Sequence, residues 1–184
     1  MAILCSAKAA KRSGLTQALG RTTTDMATCY LFKPKSTAHI QPGDFWAVPI
    51  SGGRYGCGRV IALREPGQTG SKSMLLVGLM NWIGHAPPQA GDLGGLKTVH
   101  QAQIHLRSIL ETGGAILGHR PLEADEIEPD YFLSESPGST CLLMKGYSFL
   151  RKATPAEQLT FQSLMTWGYL IIQNRAQALA DSAA

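Results

Sequence analysis

Short apolar runs between Gly- and Pro-rich turns predict a hairpin near the start of the ordered chain. Residues 44–50 (DFWAVPI) are apolar and aromatic, as a strand requires. Pro49 lacks an N–H, so it marks the end or an edge of that strand. The turn follows at residues 51–53 (SGG), because glycine accepts the positive φ angles of a tight hairpin. Residues 54–63 (RYGCGRVIAL) then form the return strand.

Side chains of the return strand alternate between two faces of the sheet. One face carries Tyr55, Cys57, Arg59 and Ile61, and the other carries Gly56, Gly58 and Val60. Two glycines on one face predict a bend, or the close approach of another backbone or of a large ring.

The rest of the chain predicts more strands and one helix. Strands are expected at residues 74–82, 98–106 and 140–150, with a shorter one at 113–118. A helix start is indicated by Thr as N-cap, Pro at the first helical position and Glu at the third, in Thr154-Pro155-Ala156-Glu157. Apolar residues at helical spacing continue it as one helix over 155–180. The expected apolar stripe contains Leu159, Phe161, Leu164, Met165, Trp167, Ile171 and Ile172, and Arg175 falls at the same spacing.

These elements predict a mainly β (α+β) protein. The expected fold is a small SH3-like or partly open β-barrel, or a curled antiparallel sheet, with the C-terminal helix packed on it. One domain would cover residues 41–184. Residues 1–40 would be a basic tail, poorly ordered or partly packed, and three origins stay open: a flexible tail, a transit peptide, or translation upstream of a true start at Met26.

The charge distribution argues against a nucleic-acid reader. Residues 1–40 hold six basic residues and one acid, a net charge of +5, whereas residues 41–184 hold 11 basic and 12 acidic residues, a net charge of −1. A folded nucleic-acid reader carries its basic face on the body of the domain. Nucleic acid is therefore not the expected partner.

No segment indicates a membrane, export, a metal or a cofactor. The longest apolar stretches, residues 74–80 and 167–172, fall short of the roughly 18–20 residues that span a bilayer. The start of the chain has no apolar core of a secretory signal, so reduced thiols in the cytoplasm are expected. The four cysteines form no C-x-x-C pair, and His100 and His105 lack the spacing of a zinc site.

Catalytic motifs are also absent from the sequence. Cys57 has no local signature of a nucleophile. The glycine-rich residues 52–58 lack the G-K-[ST] of a phosphate loop and are followed by a strand instead of a helix. We therefore expect a protein that is not an enzyme.

Two surfaces are candidates for binding a partner. Aromatic residues and arginines dominate binding energy at interfaces, and the first hairpin supplies Trp46, Arg54, Tyr55 and Arg59. Residues 123–135 hold six acids and no base, an arrangement typical of a solvated loop or of a patch that attracts a basic partner. The candidate contacts in this acidic run are Glu126, Glu128 and Asp130.

Residues 43–63 (GDFWAVPISGGRYGCGRVIAL) resemble the opening of a bacterial family, Immunity protein 26. Its pattern is Gly-Asp, an apolar strand ending in Pro, a tight turn and Gly-Arg-Tyr-Gly-x-Gly-Arg-Val. The matching residues are Gly43, Asp44, Pro49, Gly53, Arg54, Tyr55, Gly56, Gly58, Arg59 and Val60. Residues 75–82 (LLVGLMNW) are similar to the next strand of the family.

The resemblance implies a cytoplasmic, mostly β protein of a polymorphic toxin system, which binds a cognate toxin and blocks it. It carries no catalytic residues over to this chain. The alternative is a small β-barrel that binds nucleic acid, related in fold to growth-inhibitor toxins. Such a protein would need a basic groove, which the near-neutral body does not supply.

Overall fold

The computed structural model describes residues 32–65, 68 and 70–183. The predictions for residues 1–31, including a start at Met26, lie outside these residues. Part of the predicted tail packs against the domain. Phe32 exchanges two backbone hydrogen bonds with Ile116, at 3.2 and 2.9 Å, and Ile40 is buried in the core.

A six-stranded sheet forms the centre of the molecule, in the order β5-β1-β2-β3-β4-β9. Its strands are β1 (Asp44–Ile50), β2 (Arg54–Leu63), β3 (Met74–Gly84), β4 (Thr98–His105), β5 (Gly118–His119) and β9 (Thr166–Trp167). A short helix, α1 (Arg107–Glu111), follows β4. Neighbouring strands are antiparallel except β4 and β9, and the register is irregular between β2 and β3 and between β3 and β4. The predicted curled antiparallel sheet is confirmed, and the described strands do not close into a barrel.

A second sheet of three strands lies on one face of the first. Its order is β6 (Tyr131–Leu133), β7 (Leu142–Lys145) and β8 (Ser148–Lys152). Phe132 and Met144 from this sheet share a hydrophobic cluster with Phe45, Cys57 and Leu76 of the central sheet. The predicted single strand over 140–150 is therefore a hairpin of two strands.

The C-terminal helix packs on the opposite face, as predicted, but it is not continuous from residue 155. The predicted cap at Thr154 is confirmed for α2 (Pro155–Thr160), and the second helix is α3 (Tyr169–Ser182). Between them the chain is extended, pairs with β6 through Ser163 and forms β9 beside β4. The prediction of a single helix over 155–180 was wrong, because residues 162–167 pair with the edge strands of the two sheets.

Both predictions for the hairpin are confirmed. Residues 51–53 form the turn, with positive φ at two glycines, and β2 places Val60 in one hydrophobic cluster and Cys57 and Ile61 in the other. Gly56 and Gly58 lie on the same face of β2 as Val60, and their lack of side chains lets neighbouring residues pack close to the strand. A Cβ on Gly56 would lie 2.9 Å from the Cβ of Ala176 on α3.

Gly58 gives a test of this packing. A Cβ at this position would overlap the ring of Trp46, which is fully buried. Gly58→Ala is therefore expected to lower the free energy of unfolding by about 1–3 kcal/mol, the usual cost of overpacking. Urea denaturation measures the change. Gly91→Ala is the control, since nothing lies within 4 Å of a Cβ there, and an equal loss in both variants would contradict the explanation.

Candidate functional site

The acidic run is attached to the domain by apolar residues between its acids. Leu122 and Ile127 are buried in the same cluster as Phe132 of β6, while Glu126 and Glu128 point to solvent. Glu126 has a φ of 50°, in the left-handed region, and ends a short 3-10 turn over Glu123–Asp125. The run is a segment with a defined conformation instead of a solvated loop.

Asp125 is the one acid of this run whose side chain is fully buried. Its Oδ2 accepts hydrogen bonds from Arg59 Nη1 and Arg120 Nε, both at 2.8 Å. Its Oδ1 accepts from Arg120 Nη2 and from the backbone N–H of Gly95, also at 2.8 Å. Four charge-assisted or backbone hydrogen bonds thus fix the centre of the acidic run.

The pKa of Asp125 follows from these contacts. Burial raises it, but the hydrogen bonds from Arg120, the Gly95 N–H and Arg59 together lower it further, so the pKa lies well below the usual value of a carboxyl group. Asp125 is ionised at neutral pH, and its charge is compensated by two guanidinium groups.

Arg59 lies on β2 of the central sheet and binds Asp125 from there. Its side chain is fully buried, and its Nη2 donates to the carbonyl oxygens of Arg120 and Pro121, at 2.6 and 3.0 Å. Arg59 therefore holds the acidic run to the central sheet. The prediction that it contacts a partner is wrong, because no surface of it is accessible.

Trp46 is also wrongly predicted as a contact. Its side chain is fully buried and packs over Gly58 in the cluster between the sheet and α3. Arg54 and Tyr55 are partly exposed, and Arg54 lies 3.8 Å from Asp181 of α3. The two remaining hairpin candidates thus sit at the turn, near the end of α3.

A groove of about 850 Å³, named here the acidic groove, brings together all three predicted acids. Its wall includes Glu126, Glu128, Asp130, Lys97, Lys145, His100, Tyr131 and Phe161. The volume is in the range of about 300–1,000 Å³ that ligand pockets occupy. The lining residues do not include Arg54 or Tyr55, so the two predicted surfaces are separate.

Two lysines hold two of the groove's carboxylates in place. Lys97 Nζ lies 3.2 Å from Glu126 Oε2, and Lys145 Nζ contacts Glu128 Oε2. The hydrogen bond from Lys145 lowers the pKa of Glu128. Both pairs are open to solvent, so they orient the carboxylates but contribute little to stability.

Asp130 is the exception in the groove. Its carboxylate makes no hydrogen bond or ion pair with any described residue, while its backbone N–H is fixed by Gln101 Oε1 at 3.0 Å. Burial raises the pKa of this carboxyl, and nearby His100 partly opposes the rise. The groove therefore offers one unpaired carboxylate on a rigid backbone.

An aromatic pair lies beside these carboxylates. The rings of Tyr131 and Phe161 are 5.6 Å apart between centroids, and Lys145 Nζ is 5.8 Å from the centre of the Tyr131 ring. A ring of this kind accepts a cation over its face. The groove is thus suited to basic side chains, which would find both carboxylates and an aromatic surface.

Sequence reasoning missed several residues of this site. Asp125 lies within the acidic run, but nothing local separates it from its exposed neighbours. Lys97, Lys145 and Phe161 come from elements distant in the sequence, so no spacing could have placed them beside the run.

The structure also describes the residues considered for other chemistry. Burial raises the pKa of the Cys57 thiol, which disfavours the nucleophilic thiolate. His100 and His105 lie on β4, and no group of three or more possible metal-ligating residues occurs among the described residues. No described helix is long and apolar enough to cross a membrane.

A comparison with known families identifies a match over the region that contains the hairpin and the acidic run. The family described as Immunity protein 26 matches residues 41–140, more than half of the 184 residues. The chain therefore belongs to the Immunity protein 26 family, as the resemblance of residues 43–63 indicated. Neither a curated protein nor a solved structure matches the chain significantly.

In this structure the residues of that resemblance mainly build the fold. Gly43, with a φ of 100°, lies against the Arg120 carbonyl, and Asp44 accepts a hydrogen bond from the Gln41 N–H at 3.0 Å. Arg59 acts at longer range because it fixes the acidic run. The family match also includes residues 126–131, which line the groove.

Proposed function

We propose that this protein neutralises the toxin of a bacterial polymorphic toxin system by binding it directly in the cytoplasm. The observation that carries the proposal is membership of the Immunity protein 26 family. Binding of this kind requires a preformed surface and no catalytic group. The acidic groove is such a surface, because Asp125 fixes the segment that carries its carboxylates.

The proposed partner is a toxin domain with a basic cleft. Many toxins act on nucleic acid, and a cleft that binds phosphates carries lysines and arginines. Carboxylates placed in that cleft would occupy the positions of the phosphates. Complementary charge of this kind also speeds association.

Asp130 is the expected principal contact in the groove. Basic residues of the toxin would have to compete with Lys97 and Lys145 for Glu126 and Glu128. The carboxylate of Asp130 is not paired with a described lysine or arginine, and His100 acts on it only as a nearby charge. An arginine bound to it would also reach the face of Tyr131, which is partly exposed.

Reversal of the groove charges tests the proposal. The triple variant Glu126→Lys, Glu128→Lys and Asp130→Lys is tested against the toxin whose gene neighbours the gene of this protein. It should bind that toxin at least about tenfold more weakly than the parent does. The difference in affinity should be larger at low salt, because salt screens the contacts between charges. Folding should be almost unchanged, since ion pairs open to solvent contribute little to stability. Survival on co-expression with the toxin, and binding at two salt concentrations, measure the effect.

The matched control reverses two exposed acids outside the acidic run, Glu65 and Glu111, and is compared with the double variant Glu128→Lys and Asp130→Lys. It changes the net charge equally and should neutralise the toxin like the parent. If the groove variant protects and the double variant Arg54→Ala and Tyr55→Ala does not, the contact lies at the hairpin. If the parent binds RNA or DNA and no neighbouring toxin, the immunity function is wrong.

A further inference from the structure

A second pocket lies at the start of the described chain, away from the acidic groove. It encloses about 660 Å³, within the range of small-molecule sites. Its wall includes Phe32, Lys33, Pro34, Lys35, His39 and Asp44. The segment that forms it is attached at both ends, because Phe32 pairs with Ile116 and Ile40 is buried in the core.

The basic residues of this pocket have no ion-pair partner in the part of the chain that the structure describes. Neither Lys33 nor Lys35 makes a hydrogen bond or an ion pair with a described residue, and both are exposed, as is His39. Lys72 and Lys152 also make no ion pair with a described residue, so what sets Lys33 and Lys35 apart is that both line one pocket. Two ammonium groups that make no ion pair with a described carboxylate lie at one opening and favour an anion.

Asp44 also lines this pocket, and its carboxylate is the one acidic group beside the two lysines in the described lining. It is only 1% exposed. Its Oδ2 accepts from the Gln41 N–H at 3.0 Å, and its Oδ1 lies 3.1 Å from His119 Nδ1. Its hydrogen-bonding capacity is thus directed into the protein.

Apolar surface adjoins the two lysines. Phe32 is partly buried against the core and Pro34 is buried, and both contribute to the pocket wall. We propose that this pocket binds a small molecule that carries a phosphate group and an aromatic ring, as a nucleoside monophosphate does. Lys33 and Lys35 hold the phosphate oxygens, and the ring lies on Phe32 and Pro34.

A polynucleotide fits the observations less well. It would need a basic track beyond one pocket, and residues 41–184 carry a net charge of −1. The pocket is also separate from the acidic groove, with which it shares no lining residue. Toxin binding and ligand binding can therefore be tested independently.

Calorimetric titration of the full chain with adenosine monophosphate tests the proposal. The double variant Lys33→Gln and Lys35→Gln should bind it at least about tenfold more weakly than the parent, since two hydrogen bonds to a charged group are lost. The control, Lys72→Gln and Lys152→Gln, removes the same charge at exposed positions and should bind like the parent. Adenosine and inorganic phosphate should each bind more weakly than the monophosphate, because each reaches half of the site.

Three results would overturn the proposal. The first is no binding of the monophosphate by the parent, and the second is equal binding by the parent and the Lys33/Lys35 variant. The third is tighter binding of a ten-nucleotide RNA than of the monophosphate, which would make the lysines part of a nucleic-acid surface. Equal melting temperatures of the variants establish that any loss is local.

Discussion

Asp125→Ala is expected to lower the free energy of unfolding by about 3–5 kcal/mol, the range measured when one partner of a buried ion pair is removed. The variant leaves the guanidinium of Arg59 fully buried without its carboxylate, and removes the acceptor of Arg120 and the Gly95 N–H. Urea denaturation measures the loss. The control is Glu128→Gln, which breaks a solvent-exposed pair and should leave stability almost unchanged.

A pH series on Asp125→Asn separates the charge of this side chain from its packing. The pKa of Asp125 is lower in the folded protein than in the unfolded chain, so its ionisation stabilises the fold above about pH 4 and that contribution is lost as the pH falls below it. The stability difference between the parent and Asp125→Asn should therefore shrink in acid. A difference that stays constant from pH 7 to pH 3 would mean that Asp125 acts by shape alone.

The pH series compares the difference in the free energy of unfolding between the parent and Asp125→Asn, because other groups titrate in the same pH range. Hydrogen bonds from Arg151 and Thr154 lower the pKa of Glu157 to about 2, and burial raises the pKa of Asp44. Both contributions are present in the parent and in the variant. Subtraction removes them and leaves Asp125.

The hairpin could be predicted from sequence because its signals are local. Alternation of apolar residues sets the two faces of β2, and the two glycines at the turn supply the positive φ angles. The glycines of β2 also predicted a large ring nearby, and Trp46 is that ring for Gly58. Each of these inferences depends on residues within one strand pair.

The candidate site could be predicted only in part, since its organisation is long-range. The composition of residues 123–135 indicated a surface, and Glu126, Glu128 and Asp130 do line one groove. Arg59 looked like a contact beside Tyr55, yet it is the buried partner of an acid 66 positions further along. Burial of a charged residue depends on such partners, and a local pattern does not contain them.

The C-terminal segment shows how pairing at sheet edges overrides helical spacing. Leu159 and Trp167 fit one apolar stripe at helical spacing, but Leu159 is 91% exposed on α2 and Trp167 is buried on β9. The backbone between them bonds to Leu133 and Gln103 at the edges of the two sheets. Hydrogen bonds available only after both sheets have formed decide the conformation of this segment.

Trp167→Ala is expected to lower the free energy of unfolding by about 3–5 kcal/mol, the usual cost of truncating a buried tryptophan. The ring is 3% exposed within the main cluster, and the guanidinium of Arg175 lies 4.8 Å from its centre. Its loss leaves a cavity between β4 and α3. Leu159→Ala is the control, and its fully accessible side chain should cost less than about 0.5 kcal/mol. Urea denaturation measures the free energy of unfolding of both variants. One continuous packed helix would make both substitutions destabilising. The observed break between α2 and α3 makes only Trp167→Ala destabilising.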